Sequence, residues 1–273
     1  MVQAKPQGRR LLRRHFDPSV PHPSGLQMRS ADVPTDSDAH NSSHSAAPRE
    51  PRRERSRQQG GSAPEPLTVV KLGGSHAFGP ELRTWIAAIG RLRGSIVIVP
   101  GGGPFADAVR LAQKQMGFSD SAAHAMAMMA MAQFGQALMS FEPAIRLAAS
   151  RAAIRRALRD RLIPAWTPER MANAAGLPET WELTSDSLAA WLAGEIGATR
   201  LVLIKHGRFE GRKLEAEELA ASGVVDPLFP RYLPRGGVRA YLASSGATAR
   251  FEPGRWEAIF PEIVSRECEE PSA

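Results

Sequence analysis

From Leu67 onward, short apolar runs alternate along the chain with longer segments in which apolar residues recur every three or four positions. The short runs predict strands at residues 67–72, 95–99, 162–166, 201–205 and 238–242. The longer segments predict helices at residues 80–93, 104–116, 120–140, 143–160, 185–196 and 216–221. Uninterrupted apolar strands are typical of a parallel sheet that is buried on both faces. The alternation therefore predicts an α/β fold, a three-layer αβα sandwich with a mainly parallel sheet.

The first 66 residues lack this periodicity. They hold nine of the 22 prolines, and they carry 11 Lys and Arg against 7 Asp and Glu. Such a composition predicts a disordered, basic, Pro- and Ser-rich tail, because too little apolar surface is present to offset the entropy of ordering. Three interpretations stay open: a solvated tail, an upstream-extended reading frame, or a charge-driven interaction arm. We assign the domain to residues 67–266 and a C-terminal tail to residues 267–273.

Composition narrows the classes of function. The formal charge of +7 suggests a nucleic acid or a membrane surface as partner, but residues 67–273 hold 24 Lys and Arg against 21 Asp and Glu. The single cysteine, Cys268, excludes an internal disulfide framework and a cysteine-based zinc site, which fits a reducing cytoplasm. No uninterrupted apolar stretch reaches the roughly 18 residues of a membrane span. We therefore expect a cytoplasmic protein that binds neither membrane nor nucleic acid.

Two glycine-rich turns each follow a predicted strand. The first, VVKLGGS, contains Lys71, Gly73 and Gly74, and the second, IVIVPGGGPFADAVR, spans residues 96–110. Glycine lets backbone N–H groups approach a ligand without interference from a Cβ atom, and the N-terminus of a following helix favours an anion. Either turn alone could be an ordinary strand-to-helix connection. Together with a lysine at the strand end, they indicate two anionic groups held face to face.

Two common phosphate-binding motifs do not account for these turns. No G-x-x-x-x-G-K-S/T segment occurs, which excludes a P-loop nucleotidase. Gly101, Gly103 and Ala106 satisfy G-x-G-x-x-A, but a dinucleotide fold needs a second strand that ends in an acid about 20 residues further on. The chain continues instead into residues 117–140, which are helical in period and composition. A dinucleotide-binding fold is therefore only a minor alternative.

Three ordered segments, VVKLGGS, VIVPGGGPFADAVR and LTSDSLAAWLAGEIGATRLVLI, resemble the signatures of the amino acid kinase family, which includes acetylglutamate kinase, aspartokinase and uridylate kinase. Within the family, PGGGPFADAVR, GFSDSAAHAMAMMAM, TSDSLAAWLA and VVDPLFPRYL are similar to the branch that phosphorylates a furan-methyl phosphate in methanofuran biosynthesis. The resemblance spans about residues 67–260. It implies an ATP-dependent kinase that uses Mg²⁺, acts on a small-molecule phosphate acceptor and forms a homo-oligomer, a dimer or higher.

The resemblance also implies roles for individual residues. Lys71 and Arg231 would stabilise the transferring charge, and Asp186 would orient them. The nucleotide would be contacted by Gly73, Gly74, Ser75 and Lys205. The acceptor would be contacted by Gly101, Gly102, Gly103, Arg110 and Thr184. No metal-ligating residue is implied, and Mg²⁺ is expected to be held mainly by the phosphates.

The chain departs from the family pattern at two places. Many relatives have TDVDG after the strand at residues 201–205, where this chain has IKHGR, so the acid that would face the adenosine is missing. Lys205 is expected to supply a charge to the phosphates instead. A second family lysine is matched by Arg231, whose planar guanidinium differs from a mobile ammonium and would change the geometry of charge stabilisation.

Some of these features also have plainer interpretations. Ser185 or Asp186 could serve only as a helix N-cap. Arg151, Arg155 and Arg159 recur every four residues and form either a solvated helix face or a lid over an anionic substrate.

The helix at residues 120–140 carries a methionine cluster, Met126, Met128, Met129 and Met131, which is expected in the core or at a subunit interface. His124 on the same helix is expected to be a hydrogen-bonded packing residue, since no second histidine lies at metal-ligand spacing.

Three functions follow in order of preference. The first is transfer of the γ-phosphoryl group of MgATP to a furan-methyl phosphate, which yields a diphosphate. The second keeps the fold but takes a carboxylate, a carbamate or a nucleoside monophosphate as acceptor. The third is a catalytically silent, nucleotide-binding regulatory protein, marked by the altered IKHGR segment.

Overall fold

The computed structural model describes residues 66–233, 237–252 and 255–265. The disordered tail expected before the domain, up to residue 65, and the expected C-terminal tail at residues 267–273 lie outside the described residues. In the part of the chain that is described, no helix is long and apolar enough to cross a membrane.

The described residues form one sheet of eight strands. The strands are β1 (Thr68–Leu72), β2 (Ile96–Pro100), β3 (Ile145–Ala148), β4 (Ile163–Trp166), β5 (Arg200–Lys205), β6 (Lys213–Glu215), β7 (Arg239–Ser244) and β8 (Glu262–Val264). Their order is β3-β4-β2-β1-β5-β7-β8-β6. Every pair is parallel except β7 with β8, which is antiparallel. The prediction of a mainly parallel sheet is confirmed.

Helices connect these strands. They are α1 (Glu81–Gly90), α2 (Gly103–Met116), α3 (Asp120–Phe141), α4 (Arg151–Arg159), α5 (Glu169–Ala174), α6 (Ser185–Ile196), α7 (Ala216–Ala221), α8 (Phe229–Tyr232) and α9 (Trp256–Ile259). Parallel strands require such crossovers, because a short hairpin turn can join only antiparallel neighbours.

Two separate hydrophobic cores lie on the two faces of the sheet. Successive side chains of a strand point to opposite faces, so Val69 and Val70 of β1 belong to different cores. Val69 packs in the core that contains Leu188 of α6, and Val70 packs in the core that contains Trp85 of α1. The central strands are therefore covered on both sides, which explains their uninterrupted apolar sequences. The three-layer architecture is confirmed.

The prediction of a single helix over residues 143–160 is wrong. The structure has β3 there, followed by α4. β3 is a four-residue strand at the edge of the sheet, and its two middle residues are exposed. Such a short segment carries almost no period-two signal, and the Ala- and Arg-rich sequence that follows dominates the pattern. The short strands β6 and β8 are absent from the sequence prediction for the same reason.

The arginine stripe of α4 is a solvated helix face. Arg151, Arg155 and Arg159 are all exposed, and Arg151 forms an ion pair with Glu195 of α6. None of them lines the cavity that contains the glycine turns. The alternative of an arginine lid over the substrate is therefore not supported.

Candidate active site

The two glycine turns meet at one edge of the sheet. β1 and β2 are neighbouring parallel strands, so the turns that follow Leu72 and Pro100 leave from the same carboxyl edge. A Cβ atom on Gly74 would lie 2.0 Å from the amide nitrogen of Gly103, and one on Gly101 would lie 2.2 Å from the amide nitrogen of Gly74. No side chain fits at such distances. Glycine at these positions is what lets the two backbones touch.

The N-termini of two helices border a cavity beside this junction. Gly102 is the N-cap of α2, Thr184 is the N-cap of α6, and both line a cavity of about 260 Å³. The first amide groups of a helix have no intrahelical acceptor and carry partial positive charge, so the N-terminus of α2 favours an anionic ligand in this cavity. Other expected site residues that line the cavity are Lys71, Gly74, Ser75, Gly103 and Arg110.

Asp186 is shared by two lysines at the same edge. Its Oδ1 lies 2.8 Å from Nζ of Lys71 in β1, and its Oδ2 lies 2.6 Å from Nζ of Lys205, the last residue of β5. The exposed fractions of the three side chains are only 4%, 6% and 18% for Asp186, Lys71 and Lys205. Both ammonium groups share this one carboxylate as their direct partner, and Asp226 favours the charged form of Lys205 only more weakly, so the second positive charge is incompletely offset where little water can solvate it.

This arrangement shifts the pKa of two groups in a way that favours anion binding. Burial raises the pKa of Asp186, but Lys71 and Lys205 together outweigh burial and hold that pKa below its ordinary value. Burial and the charge of Lys71 lower the pKa of Lys205, and Asp186 offsets this only in part. A phosphate bound beside Lys205 would favour its charged form, because an opposite charge nearby stabilises an ammonium.

A remote carboxylate fixes the N-terminus of α6. Asp226 accepts hydrogen bonds from the backbone N–H of Thr184 at 2.9 Å, from its hydroxyl at 2.8 Å, from the backbone N–H of Ser187 at 3.0 Å and from the Ser187 hydroxyl. Thr184 itself supplies no side-chain cap. Asp226 therefore caps the helix from which Asp186 projects, and the N-cap interpretation of Ser185 or Asp186 is wrong.

His76 lies buried beneath the first glycine turn. Its Nε2 donates to the carbonyl of Ile204 at 3.3 Å, and its ring packs on His206 with a centroid distance of 4.0 Å. Burial, followed by the charge of His206, lowers the pKa of His76 to about 4. The imidazole is therefore neutral near pH 7, and it ties the turn after β1 to the end of β5.

Arg110 is held at the cavity by an aromatic ring and a carboxylate. Its guanidinium lies 4.4 Å from the ring centroid of Trp181 and donates to Asp107 at 3.0 Å. The indole N–H of Trp181 donates to Gln113 at 2.7 Å, which fixes the ring against α2. A stacked guanidinium keeps further N–H donors available, so Arg110 presents positive charge to an anionic ligand of the cavity.

Arg231 does not lie with the other expected catalytic residues, which corrects the sequence interpretation. It is exposed on α8 and shares a shallow groove with Trp191 and Glu195. Glu195 lies about 13 Å further along the axis of α6 than Asp186, at 1.5 Å per residue. The second cation that contacts Asp186 is Lys205, because β5 ends beside β1. Arg231 cannot take this place, because the segment after Asp226 runs along α6 toward the C-terminal end of that helix.

The described residues offer no protein cage for a metal ion. No group of three or more His, Cys, Asp and Glu side chains that could hold a metal occurs among them. Asp186 is engaged by two lysines, and Asp226 accepts four hydrogen bonds. These carboxylates are therefore engaged with protein groups and would not serve as a metal-binding cage.

Three residues that shape the site, Asp226, His76 and Trp181, are not among those predicted from the sequence. The sequence does contain a signal for Asp226, because this residue is the acid in the VVDPLFP segment, two positions before Leu228 and five before Arg231. His76 and Trp181 carried no local signal. Trp181 contacts Gln113, which is 68 positions away, and such a pairing depends on the tertiary fold.

We expect the substitution Gly74→Ala to destabilise the protein by roughly 1–3 kcal/mol, because the added methyl group would force the two glycine turns apart. The matched control is Gly194→Ala in α6, where an added Cβ meets nothing within 4 Å. Alanine is the better helix former, so this control should be neutral or stabilising by up to about 1 kcal/mol. Equal thermal unfolding midpoints for the two variants would contradict the contact.

The neutral state of His76 predicts an acid-sensitive stability. The pKa of His76 is about 4 in the folded protein and about 6.5 in an unfolded chain, so its contribution is fully present above pH 6.5 and is lost as the pH falls toward 4. Urea unfolding at pH 7 and pH 5 should show a smaller loss for His76→Gln than for the wild type, by roughly 1–2 kcal/mol. Identical losses would exclude this role.

Comparisons with known proteins show the family and the fold of this chain. The model of the amino acid kinase family matches residues 66–206. A protein of Methanocaldococcus jannaschii named [5-(aminomethyl)furan-3-yl]methyl phosphate kinase is 28% identical over 191 residues, which cover 65% of this chain and 88% of that protein.

Solved structures with the same fold include uridylate kinase from Archaeoglobus fulgidus and UMP kinase from Ureaplasma parvum. The first has a TM-score of 0.56 and 16% identity, and the match covers 72% of this chain and 100% of that one. The second has a TM-score of 0.55 and 14% identity, with 73% and 98% covered. With the family model matching more than half of the residues, this chain belongs to the amino acid kinase family and is a phosphotransferase.

Proposed function

We propose that this protein transfers the γ-phosphoryl group of ATP to a small acceptor that already carries a phosphate, a furan-methyl phosphate, and releases a diphosphate. The observation that carries the proposal is the Lys71–Asp186–Lys205 group at the junction of two glycine turns. Two phosphates that must react face to face need concentrated positive charge and backbone donors between them, and this junction supplies both.

The donor side of the site would be the turn after β1. Gly74 and Ser75 would direct backbone N–H groups toward the terminal phosphates of ATP, and Lys71 and Lys205 would bind their oxygens. The excess positive charge on this side supports the assignment, because a polyphosphate supplies the missing negative charge. Gly73 belongs to the same turn but does not line the cavity. A Cβ atom there would lie 3.4 Å from Nζ of Lys71, so its role in this proposal is to leave room for that ammonium group.

The acceptor side would be the turn after β2 and the wall that contains Arg110. Gly102 and Gly103 would present the N-terminus of α2 to the acceptor phosphate. Gly101 would act indirectly, by allowing the two turns to touch. Thr184 lines the cavity, but its hydroxyl proton is donated to Asp226, so toward the acceptor it would offer a lone pair.

The transfer itself requires little covalent chemistry from the protein. An oxygen of the acceptor phosphate forms a bond to the γ-phosphorus, the bond from that phosphorus to the β,γ-bridging oxygen breaks, and ADP leaves with the electron pair. Lys71 and Lys205 would neutralise the charge that spreads over the transferred group, and Asp186 would keep both ammonium groups in place. A magnesium ion carried by the nucleotide would add further charge neutralisation.

The size and lining of the cavity support a small acceptor. Its volume of about 260 Å³ is below the roughly 300 Å³ at which sites for drug-sized ligands begin. Four of the side chains that line it are large and apolar, namely Met128, Met131, Leu183 and Leu188. A flat ring with one phosphate suits this space better than a nucleoside monophosphate. The name of the Methanocaldococcus jannaschii relative supports the same acceptor class. Methanofuran-type cofactor biosynthesis is the context that the sequence resemblance implies.

We also propose that the protein forms a homo-oligomer through α2 and α3. Of the methionines expected in the core or at an interface, Met128 and Met131 are buried, whereas Met126 and Met129 are 39% and 51% exposed. Leu111 and Met116 of α2 are 58% and 76% exposed. Large apolar side chains on adjoining helices support a subunit contact there.

The direct test is phosphoryl transfer from radiolabelled ATP to (5-(aminomethyl)furan-3-yl)methyl phosphate by the purified protein. Lys71→Ala should lower kcat/KM at least about a hundredfold, because it removes a charge aimed at the transferring group. Arg231→Ala is the matched control, an exposed cation on the same chain, and it should leave the rate unchanged. Equal loss in both variants, or no transfer by the wild type, would contradict the proposal.

A further inference from the structure

We propose that His124 is the residue with which this cavity recognises a hydrogen-bond donor, an amino group, on a small ring-bearing phosphate. The proposal rests on the proposed function only in taking this cavity as the acceptor site. It assigns to His124 a role in selecting the ligand, beyond the packing role expected from the sequence.

The tautomer of His124 is set by its hydrogen bond. Nδ1 lies 3.2 Å from the backbone carbonyl of Thr180, and a carbonyl oxygen can only accept. Nδ1 therefore carries the proton in the neutral ring, which leaves a lone pair on Nε2. Among the described residues, none donates to Nε2. The side chain is buried, with 6% of the residue exposed, yet it lines the cavity.

The face of α3 around His124 has no other strong acceptor. His124, Ala127, Met128 and Met131 stand at i, i+3, i+4 and i+7, so they share one side of the helix and all line the cavity. The other three side chains are apolar or carry only a weak thioether acceptor. A donor that is bound against this face therefore has Nε2 as its strong partner.

The imidazole of His124 is held in place by the segment before α6. Thr180 belongs to the segment before α6, where Glu179 accepts from the Ser121 hydroxyl and Trp181 donates to Gln113 at 2.7 Å. These contacts tie both sides of Thr180 to α2 and α3. A hydrogen-bond acceptor that is already fixed, such as this imidazole, loses little conformational entropy when the ligand binds. Binding sites that select their ligand commonly hold their side chains in this way.

The same wall holds a group for the phosphate of that ligand. Arg110 stacks on Trp181, the residue next to Thr180, and it lines the cavity with His124. The cavity thus combines cations for a phosphate, several apolar side chains for a ring and one imidazole nitrogen that can accept from an amino group. A bound ring phosphate without the amino group would leave Nε2 of His124 buried and without a hydrogen bond. Sites that bind a ligand through such a hydrogen bond discriminate against the analogue that lacks the donor.

The test compares two probe compounds, 3-(aminomethyl)benzyl phosphate and benzyl phosphate, by isothermal titration calorimetry with the full-length protein. The wild type should bind the amino compound at least about tenfold more tightly, the effect of one good hydrogen bond. His124→Phe should abolish this preference and leave the affinity for benzyl phosphate unchanged, which also shows that the variant is folded. His124→Gln, whose amide oxygen can accept, should keep part of the preference.

Asp107 is the competing explanation, since its carboxylate also lines the cavity and could bind an ammonium group. Asp107→Asn should therefore preserve the preference for the amino compound. The proposal is overturned if that variant loses the preference, if His124→Phe keeps it, or if the wild type binds both compounds equally or neither. Selective binding without phosphoryl transfer from ATP would contradict the proposed function and leave the role of His124 supported.

Discussion

The constraint on which the site depends is the burial of two ammonium groups around one carboxylate. Lys71 and Lys205 both contact Asp186, and all three side chains are largely removed from water. Losing the carboxylate would leave two like charges buried side by side, and breaking a buried ion pair in this way typically costs about 3–5 kcal/mol. With the carboxylate present, the two ammonium groups still share a single direct counter-charge, and Asp226 favours the charged form of Lys205 only more weakly. An incompletely offset positive charge of this kind favours an anionic ligand.

The parallel sheet is what brings these charges together. β1 and β5 are neighbours in register, so lysines near the ends of both strands reach the same edge, and β2 adds its glycine turn on the other side of β1. The acid comes from a helix, and the position of that helix depends on Asp226, which caps its N-terminus. The stability of the fold and the geometry of the site are coupled, because the strand pairing and the helix cap that stabilise the domain also position Lys71 and Asp186.

Much of the fold could be predicted from the sequence, since buried parallel strands such as Ile96–Pro100 have uninterrupted apolar runs that few other elements share. The short edge strands could not be predicted, because three or four residues carry no reliable period. For the site, the sequence indicates residues that lie in contiguous motifs but not contacts between distant segments. Lys71, Gly74, Gly102 and Gly103 lie in contiguous motifs, and all four line one cavity.

Arg231 shows where motif matching fails. It is a cation at a plausible spacing in the VVDPLFPRYL segment, but spacing does not reveal in which direction the chain runs after Asp226. The acid in the same segment, Asp226, shapes the site instead, by capping α6. Lys205 pairs with Asp186 because β5 lies beside β1, a neighbour relation that follows from strand order and not from local sequence.

The most direct test is a crystal structure of the protein with magnesium and a non-hydrolysable ATP analogue. The terminal phosphates are expected against the Gly74 turn, between Nζ of Lys71 and Nζ of Lys205, with Asp186 still bridging both lysines and the metal bound by phosphate oxygens. An analogue bound at another edge of the sheet, or a metal ligated directly by Asp186 with the lysines displaced, would contradict this expectation.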